Sequence, residues 1–405
     1  MQKPSKELAA GIVNTLLAIF NRGINADKAL SFTLRLNPKW HAGVRGYVAE
    51  SVYDIIRHWR HLWMLAELPP DEYLTQVTEQ RVWWIWAASR MEAGFSIAPF
   101  PEMKGLPKSQ IYTQLEQRLP NTRYAFPDWL NDACKAELKE RWPRFMEELD
   151  RPASQHIRVN TLKTNRHTLL QGFHADDIAA FAPKDAPDAV ILRYYFPLHE
   201  LESFDEGMFE IQDAGSQQIA PFLQAEPGMR VLDACAGAGG KSLHLAALMR
   251  NKGRIVAFDV DEKKLKELRK RASRAGADTI EIRSLEGPKT LKRYAGTMDR
   301  VLCDVPCSGL GALRRNPGIR WKLKPEDLAN LRQLQQSILS DFSPLVKSGG
   351  KLVYATCSIL PSENEKQVRA FLKDNHNHWK LEEEMVLQPG INDADGFYAA
   401  RLVRV

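Results

Sequence analysis

The sequence predicts an α/β protein: a mainly parallel sheet covered by helices on both faces, preceded by a small α/β unit and an all-helical N-terminal region. Three observations carry this. Up to about residue 145 apolar residues recur three to four apart, as in Val48, Val52, Ile55, Ile56, Trp59, Leu62 and Trp63, which is one face of a helix. Short β-rich runs at 156–159 and 190–194 follow, separated by Pro- and Asp-rich turns such as 183–187. From Gln212 onward strand-like runs at 230–232, 254–258, 279–282, 300–303 and 351–355 alternate with helical ones, the pattern of parallel strands joined by crossover helices. The expected domains are 1–145, 150–211 and 212–405.

In the first region the N-terminal stretch sets Leu8, Ile12, Leu16 and Phe20 four apart, with Glu7 and Asn14 interrupting, so it reads as a helix face and not as a signal peptide. Eight of the ten tryptophans lie in this region. Interleaved with Arg57, Arg60 and Arg81 they suit stacking on unpaired bases, but their place on the apolar face favours an aromatic core.

The composition, 44% apolar and 26% charged, excludes whole-chain disorder. No run reaches the roughly 18 apolar residues of a membrane span, so a soluble protein without a membrane partner is expected. A net charge of +6 permits nucleic-acid binding without proving it. Five cysteines, an odd and sparse set, argue for a reducing compartment and a cytoplasmic protein. A four-thiolate zinc site from Cys235, Cys303, Cys307 and Cys357 is the one metal option, and it is set aside; no metal is expected.

The first strand of the third region runs into Asp233-Ala-Cys235-Ala236-Gly237-Ala238-Gly239-Gly240-Lys241-Ser242 and a helical pattern. Small residues and a helix start offer close approach and free N–H groups to a ligand. A Walker A loop needs glycine where Cys235 stands, and a dinucleotide fingerprint needs one where Ser242 stands. S-adenosylmethionine fits better: Asp233 and the backbone from Ala236 to Gly240 suit its charged amino-acid end, and Asp259, at the end of the second strand, suits its ribose hydroxyls.

Later strands end in Cys303-Asp304-Val-Pro-Cys307-Ser and Thr-Cys357-Ser. Ligands bind beyond the carboxyl ends of parallel strands, so Asp304, Cys307 and Cys357 point to one crevice, whereas Cys303 and Cys134 read as buried hydrophobes. A thiolate beside a methyl donor suits carbon 5 of a pyrimidine, which becomes nucleophilic once sulfur adds to carbon 6. A carboxyl group at ring nitrogen 3 stabilises the developing charge, and a base must then remove the carbon 5 proton.

These motifs, with Ile157-Arg158-Val-Asn160, Gln212-Asp213, Arg314-Arg315-Asn-Pro317 and Asp395-Gly-Phe397, resemble the Sun/Fmu (RsmB-like) family of RNA cytosine-5 methyltransferases over roughly the last 250 residues. The resemblance implies a Rossmann-like domain with a seven-stranded sheet, Cys357 as nucleophile, Cys307 assisting product release, Asp304 at the base and beside the methyl donor, and Lys241 supporting both. In the family an acidic residue near the adenine follows the third strand; Ser284 stands there in this chain. Ala29-Leu30 and 47–65 are similar to the NusB-like RNA-binding domain of the RsmB type, and 150–211, with Arg158, to its RNA-docking unit. Arg314, Arg315, Arg320 and Lys322, in a run without acidic residues just after Cys307, are expected to contact phosphates. The basic stretch 263–274 reads instead as a solvated helix face. The expected substrate is a single-stranded or flipped cytosine of small-subunit ribosomal RNA, acted on by a monomer. Transfer RNA and a non-catalytic assembly platform are the alternatives.

Overall fold

The computed structural model describes residues 5–117, 125–285 and 287–405. The chain divides into two compact units, Met1–Pro152 with Leu313–Leu323, and Ala153–Ala312 with Lys324–Val405.

The first unit is helical. Helix Lys6–Arg22 starts where Ser5 Oγ accepts the Leu8 N–H and stops at Gly23. Its Ile12 and Leu16 join a core with Val82, Trp83, Ile85 and Trp86 of helix Glu79–Glu92. Trp40, Trp59, Trp63, Trp83 and Trp86 are core residues and not a base-stacking surface. Trp59, Trp63 and Trp86 are fully buried, and Phe20 stacks on Trp59 at 3.7 Å. Trp59 and Trp63 donate their indole N–H groups to the Tyr73 and Pro69 carbonyls at 2.7 Å.

Leu313–Leu323 belongs to this unit, which revises the expectation of phosphate contacts along it. Trp321 lies in the helical core and donates to the Ile56 carbonyl at 2.6 Å. Arg320 is 0% exposed; it donates to the Ala125 and Leu149 carbonyls, pairs with Asp150 at 2.9 Å and lies over the Phe126 ring. Arg314 is buried and donates to the Pro152 carbonyl. Lys322 is exposed along its stem, and its ammonium holds Asn25 at 3.0 Å. Arg315 is partly exposed. A guanidinium that fastens internal carbonyls has no open face for a phosphate, so the basic run is largely an internal strap.

Removing one partner of a buried pair leaves an uncompensated charge, so Arg320→Ala is expected to destabilise the helical unit by roughly 3–5 kcal/mol. The thermal midpoint should fall while the salt dependence of RNA binding keeps its slope. The same network is pH-sensitive. Burial opposes a charge on His58, but hydrogen bonds with Asp150 and Asp54 prevail and raise it to about 9. Its folded value lies above its unfolded one, so its contribution is fully present below about pH 6.5 and is lost as pH rises through about 9. Melting curves across that window should show the fall, and Asp150→Asn should flatten it.

The second unit contains two sheets. In the first, β1 (Gln155–Val159), β2 (Ala180–Phe181), β3 (Ala189–Leu192) and β4 (Phe209–Ile211) are antiparallel in the order β2-β3-β1-β4, around a core of Ile157, Phe173, Val190 and Phe209. The larger sheet holds β5 (Arg230–Asp233), β6 (Arg254–Asp259), β7 (Ile280–Ser284), β8 (Met298–Asp304), β9 (Val346–Thr356), β10 (Trp379–Leu387) and β11 (Phe397–Arg404) in the order β10-β11-β9-β8-β5-β6-β7. β5 to β9 pair in parallel; β11 runs antiparallel to both β9 and β10. This is a Rossmann-like sheet, and its strand order reverses between β5 and β8, which opens a crevice beyond their carboxyl ends.

Candidate active site

Every element of the crevice is set by a strand end. β5 delivers Asp233 and then the glycine-rich turn, whose Gly239 has φ 89°; a Cβ there would sit 2.0 Å from Leu268 Cδ1, so only glycine lets helix Gly240–Leu248 start at this point. β6 delivers Asp259, in register with Ser284 of β7. β8 delivers Asp304 and, three residues on, Cys307. β9 delivers Cys357.

The two thiols meet at 3.3 Å Sγ to Sγ. The hydrogen bond with Cys357, then burial, push the Cys307 thiol well up, so the pair keeps a proton on Cys307. Lys241 Nζ donates to Asp304 Oδ2 at 2.6 Å and lies 5.4 Å from the centre of the Phe397 ring. Burial works against the Lys241 charge, but Asp304, with Cys357 contributing, outweighs it and holds the ammonium above its ordinary range. A fixed positive charge thus faces both Asp304 and the Cys357 sulfur. Behind Cys357 the backbone is closely packed: Gly311 donates its N–H to the Cys357 carbonyl at 2.8 Å, and a Cβ on Gly311 would meet the Gly396 carbonyl oxygen at 2.2 Å.

The residues along β5 to β7 fit the methyl donor. Asp233 is buried; its Oδ2 accepts Ser242 Oγ at 2.6 Å, while Oδ1 has no partner. Burial raises its carboxyl to about 7. A buried carboxylate oxygen without a donor suits the ammonium of the amino-acid end. Asp259 accepts the Gly237 and Asp261 N–H groups, one on each oxygen, and each oxygen keeps a lone pair for a ribose hydroxyl. A cleft of about 500 Å³ lined by Glu262, Ile282 and Ser284 opens at the β7 end. Ala236 donates to the Phe258 carbonyl, and burial pushes the Cys235 thiol well up, so Cys235 stays neutral beside the turn. Among the described residues no group of three His, Cys, Asp or Glu side chains could hold a metal ion.

Arg158 lies elsewhere than expected. It is 2% exposed and donates to Gln212 Oε1 and, at 2.6 Å, to the Gly240 carbonyl. Its cross-strand partner Glu210 holds Arg271, which donates to the Ala238 carbonyl at 2.8 Å. The small sheet therefore braces the outer side of the cofactor turn, and Arg158 has no face left for RNA. Sequence reasoning also missed Glu363. It lies between Cys357 and the next helix in the run Ser-Glu-Asn-Glu, and no local pattern says what it would touch.

The 16S rRNA methyltransferase RsmB/F family matches residues 220–403, and the RsmF/B-like ferredoxin-like domain matches 126–199. A Synechocystis protein described as "Probable ribosomal RNA small subunit methyltransferase B" is 34% identical over 383 residues, 84% of this chain and 82% of that one. Ribosomal RNA small subunit methyltransferase B of Klebsiella pneumoniae is 35% identical over 320 residues, 75% and 74%. Among solved structures, a methyltransferase homolog from Pyrococcus horikoshii superposes with a TM-score of 0.62 at 28% identity, over 71% of this chain and 99% of that one. With a Rossmann-like crevice shaped for S-adenosylmethionine and relatives matched over most of its length, the chain belongs to the RsmB/F family of S-adenosylmethionine-dependent methyltransferases.

Proposed function

We propose that this enzyme methylates carbon 5 of a cytosine in small-subunit ribosomal RNA, with Cys357 adding covalently to carbon 6. The observation that carries the reading is the pair of thiols 3.3 Å apart, one held protonated, beside the Lys241–Asp304 pair. The ribosomal substrate rests on the names of the relatives.

In this mechanism the attacking group is the Cys357 thiolate, which lies near the Lys241 ammonium. That sulfur bonds to carbon 6 of the flipped base, and the ring electrons shift toward carbon 5. Asp304, held by Lys241 through Oδ2, would share a proton with ring nitrogen 3 and so offset the charge that forms there. Asp233 and Asp259 bind S-adenosylmethionine, which supplies an electrophilic methyl group. Once the Cys357 sulfur is bonded to carbon, Cys307 loses the neighbour that kept its proton in place. Its thiol gives its proton to solvent, and the resulting thiolate takes the carbon 5 proton. The electrons of that C–H bond re-form the 5,6 double bond as the bond from carbon 6 to sulfur breaks and Cys357 leaves as thiolate. The coupling of the thiols thus orders the steps. Arg315, partly exposed, remains a phosphate contact in this reading.

The test is transfer of labelled methyl from S-adenosylmethionine to ribosomal RNA from cells lacking the gene, followed by digestion to nucleosides. Label in 5-methylcytidine is expected. Label in another nucleoside overturns the carbon 5 chemistry, label only in transfer RNA overturns the substrate, and no label in any RNA makes the chain a platform.

A further inference from the structure

Glu363 is a carboxylate with 0% exposure, and among the described residues no cation lies within salt-bridge distance of it. Burying such a group is costly unless donors surround it. Four do. Oε1 accepts the Ser308 backbone N–H at 2.8 Å and Gln335 Nε2 at 3.1 Å; Oε2 accepts the Ser308 and Ser358 hydroxyls, each at 2.5 Å. Ser308 directly follows Cys307, and Ser358 directly follows Cys357. The hydroxyls also lie 3.1 Å from each other. A single buried side chain therefore joins the loop after β8 to the loop after β9, one residue from each thiol. The neighbouring residue strengthens the junction: Asn364 hydrogen-bonds Thr356 Oγ1 at 2.5 Å and donates to the Ser358 carbonyl at 3.0 Å. The Glu363 carbonyl is fixed by the Tyr354 hydroxyl at 2.6 Å.

We propose that Glu363 is a positioning residue that sets the spacing of Cys307 and Cys357. Strand pairing fixes Asp304 against Ala355 and Thr356 against Tyr398, and the Gly311 N–H holds the Cys357 carbonyl. Both cysteines nevertheless lie past the paired residues, and among the described residues the two that follow them are tied to each other only through the carboxylate and their own hydroxyls. The carboxylate adds a side-chain tie to that backbone bond, on the residues next to the thiols. An apolar side chain of the same size would fill the space without tying the loops, so the carboxylate serves the spacing. The catalytic importance of that spacing rests on the two-cysteine mechanism proposed above.

Cross-linking reads the spacing without any reference to methylation. Diamide takes two electrons and two protons from a thiol pair and leaves a disulfide, at a rate set by how closely the sulfurs meet. In the full-length protein, Glu363→Ala is expected to slow formation of the Cys307–Cys357 disulfide, followed by peptide mass spectrometry, by about tenfold or more. Its kcat should fall about a hundredfold, as for a displacement of roughly an ångström, with an unchanged KM for S-adenosylmethionine. Glu363→Gln should restore most of the cross-linking rate, because its amide offers an acceptor to the Ser308 N–H and the serine hydroxyls can turn to accept from its nitrogen. If Glu363→Ala does not fold, the pair Ser308→Ala and Ser358→Ala removes both hydroxyl ties and should slow the disulfide in the same way. Cross-linking at the wild-type rate in a folded Glu363→Ala protein overturns the proposal. Slowed cross-linking with undiminished methyl transfer upholds the spacing role and overturns the two-cysteine mechanism instead.

Discussion

Cys357→Ala is expected to transfer no measurable methyl group to RNA, a loss on the order of 10⁴-fold or more, while binding S-adenosylmethionine as tightly as the wild type. The reason is spatial as well as chemical. The polar groups that fit the cofactor, Asp233 and Asp259, end β5 and β6, whereas the thiols follow β8 and β9. Cys307→Ala is expected to fail differently. Its partner sulfur still faces the Lys241 ammonium, so addition to carbon 6 goes forward; without the second thiol the carbon 5 proton stays and the protein remains joined to RNA. A denaturing gel should show a slow protein–RNA band with Cys307→Ala and none with Cys357→Ala. The reverse pattern exchanges the roles, and no band with either variant removes covalent catalysis.

Asp233→Asn is expected to weaken S-adenosylmethionine binding about ten- to a hundredfold, the contribution of a charged hydrogen bond in a buried site. Titration calorimetry checks it, and pH gives the finer test. The Asp233 carboxyl of the free protein sits at about 7, chiefly through burial, with Ser242 opposing the shift and Asp304 adding to it. Binding an ammonium requires the ionised form, so wild-type affinity should rise with pH up to about 7 and level off above, with proton release on binding at pH 6. The asparagine variant should show neither. Stability runs the other way. The folded value lies above the unfolded 3.8, so protonation favours the folded state. Asp233's contribution, at most about 4 kcal/mol, is present below about pH 4 and lost as pH rises through about 7. A wild-type affinity independent of pH between 5 and 8 would place the cofactor ammonium elsewhere.

Four of the five parallel strands were legible because each carries an apolar run bounded by turn residues, and buried parallel strands read that way; β7, Ile-Glu-Ile-Arg-Ser and half-buried at the sheet edge, was legible from its place in the alternation of strands and helices. The last two were not legible from pattern. β10 is Trp-Lys-Leu-Glu-Glu-Glu-Met-Val-Leu and largely exposed, an edge strand whose side chains need no alternation, and it was anticipated only through the family resemblance. The glycine turn, Asp304 and both cysteines could be picked out because each stands just past a strand end, where the open-sheet rule places ligands. Arg314 and Arg320 misled because an arginine in a basic run looks the same whether its guanidinium meets a phosphate or an internal carbonyl; Arg158, expected at RNA through the family resemblance, meets Gln212 and the Gly240 carbonyl instead. Burial separates the two cases, and burial is set by residues 150 or more positions away: Ala125, Leu149 and Asp150 for Arg320, and Pro152 for Arg314.

By itself, then, the sequence determined what is carried by local pattern: the order of strands and helices, the cofactor turn, the acidic residues at strand ends and the thiols just past two of them. Tertiary structure decided which side chains meet. It put Cys307 against Cys357 across 50 residues, Lys241 against Asp304 across 63, and Glu363 between the two serines. It also turned a basic run into a strap of the helical unit. The physical reason is that proton affinity and hydrogen-bond satisfaction depend on neighbours within a few ångströms, and in a doubly wound sheet those neighbours come from strands far apart in the chain.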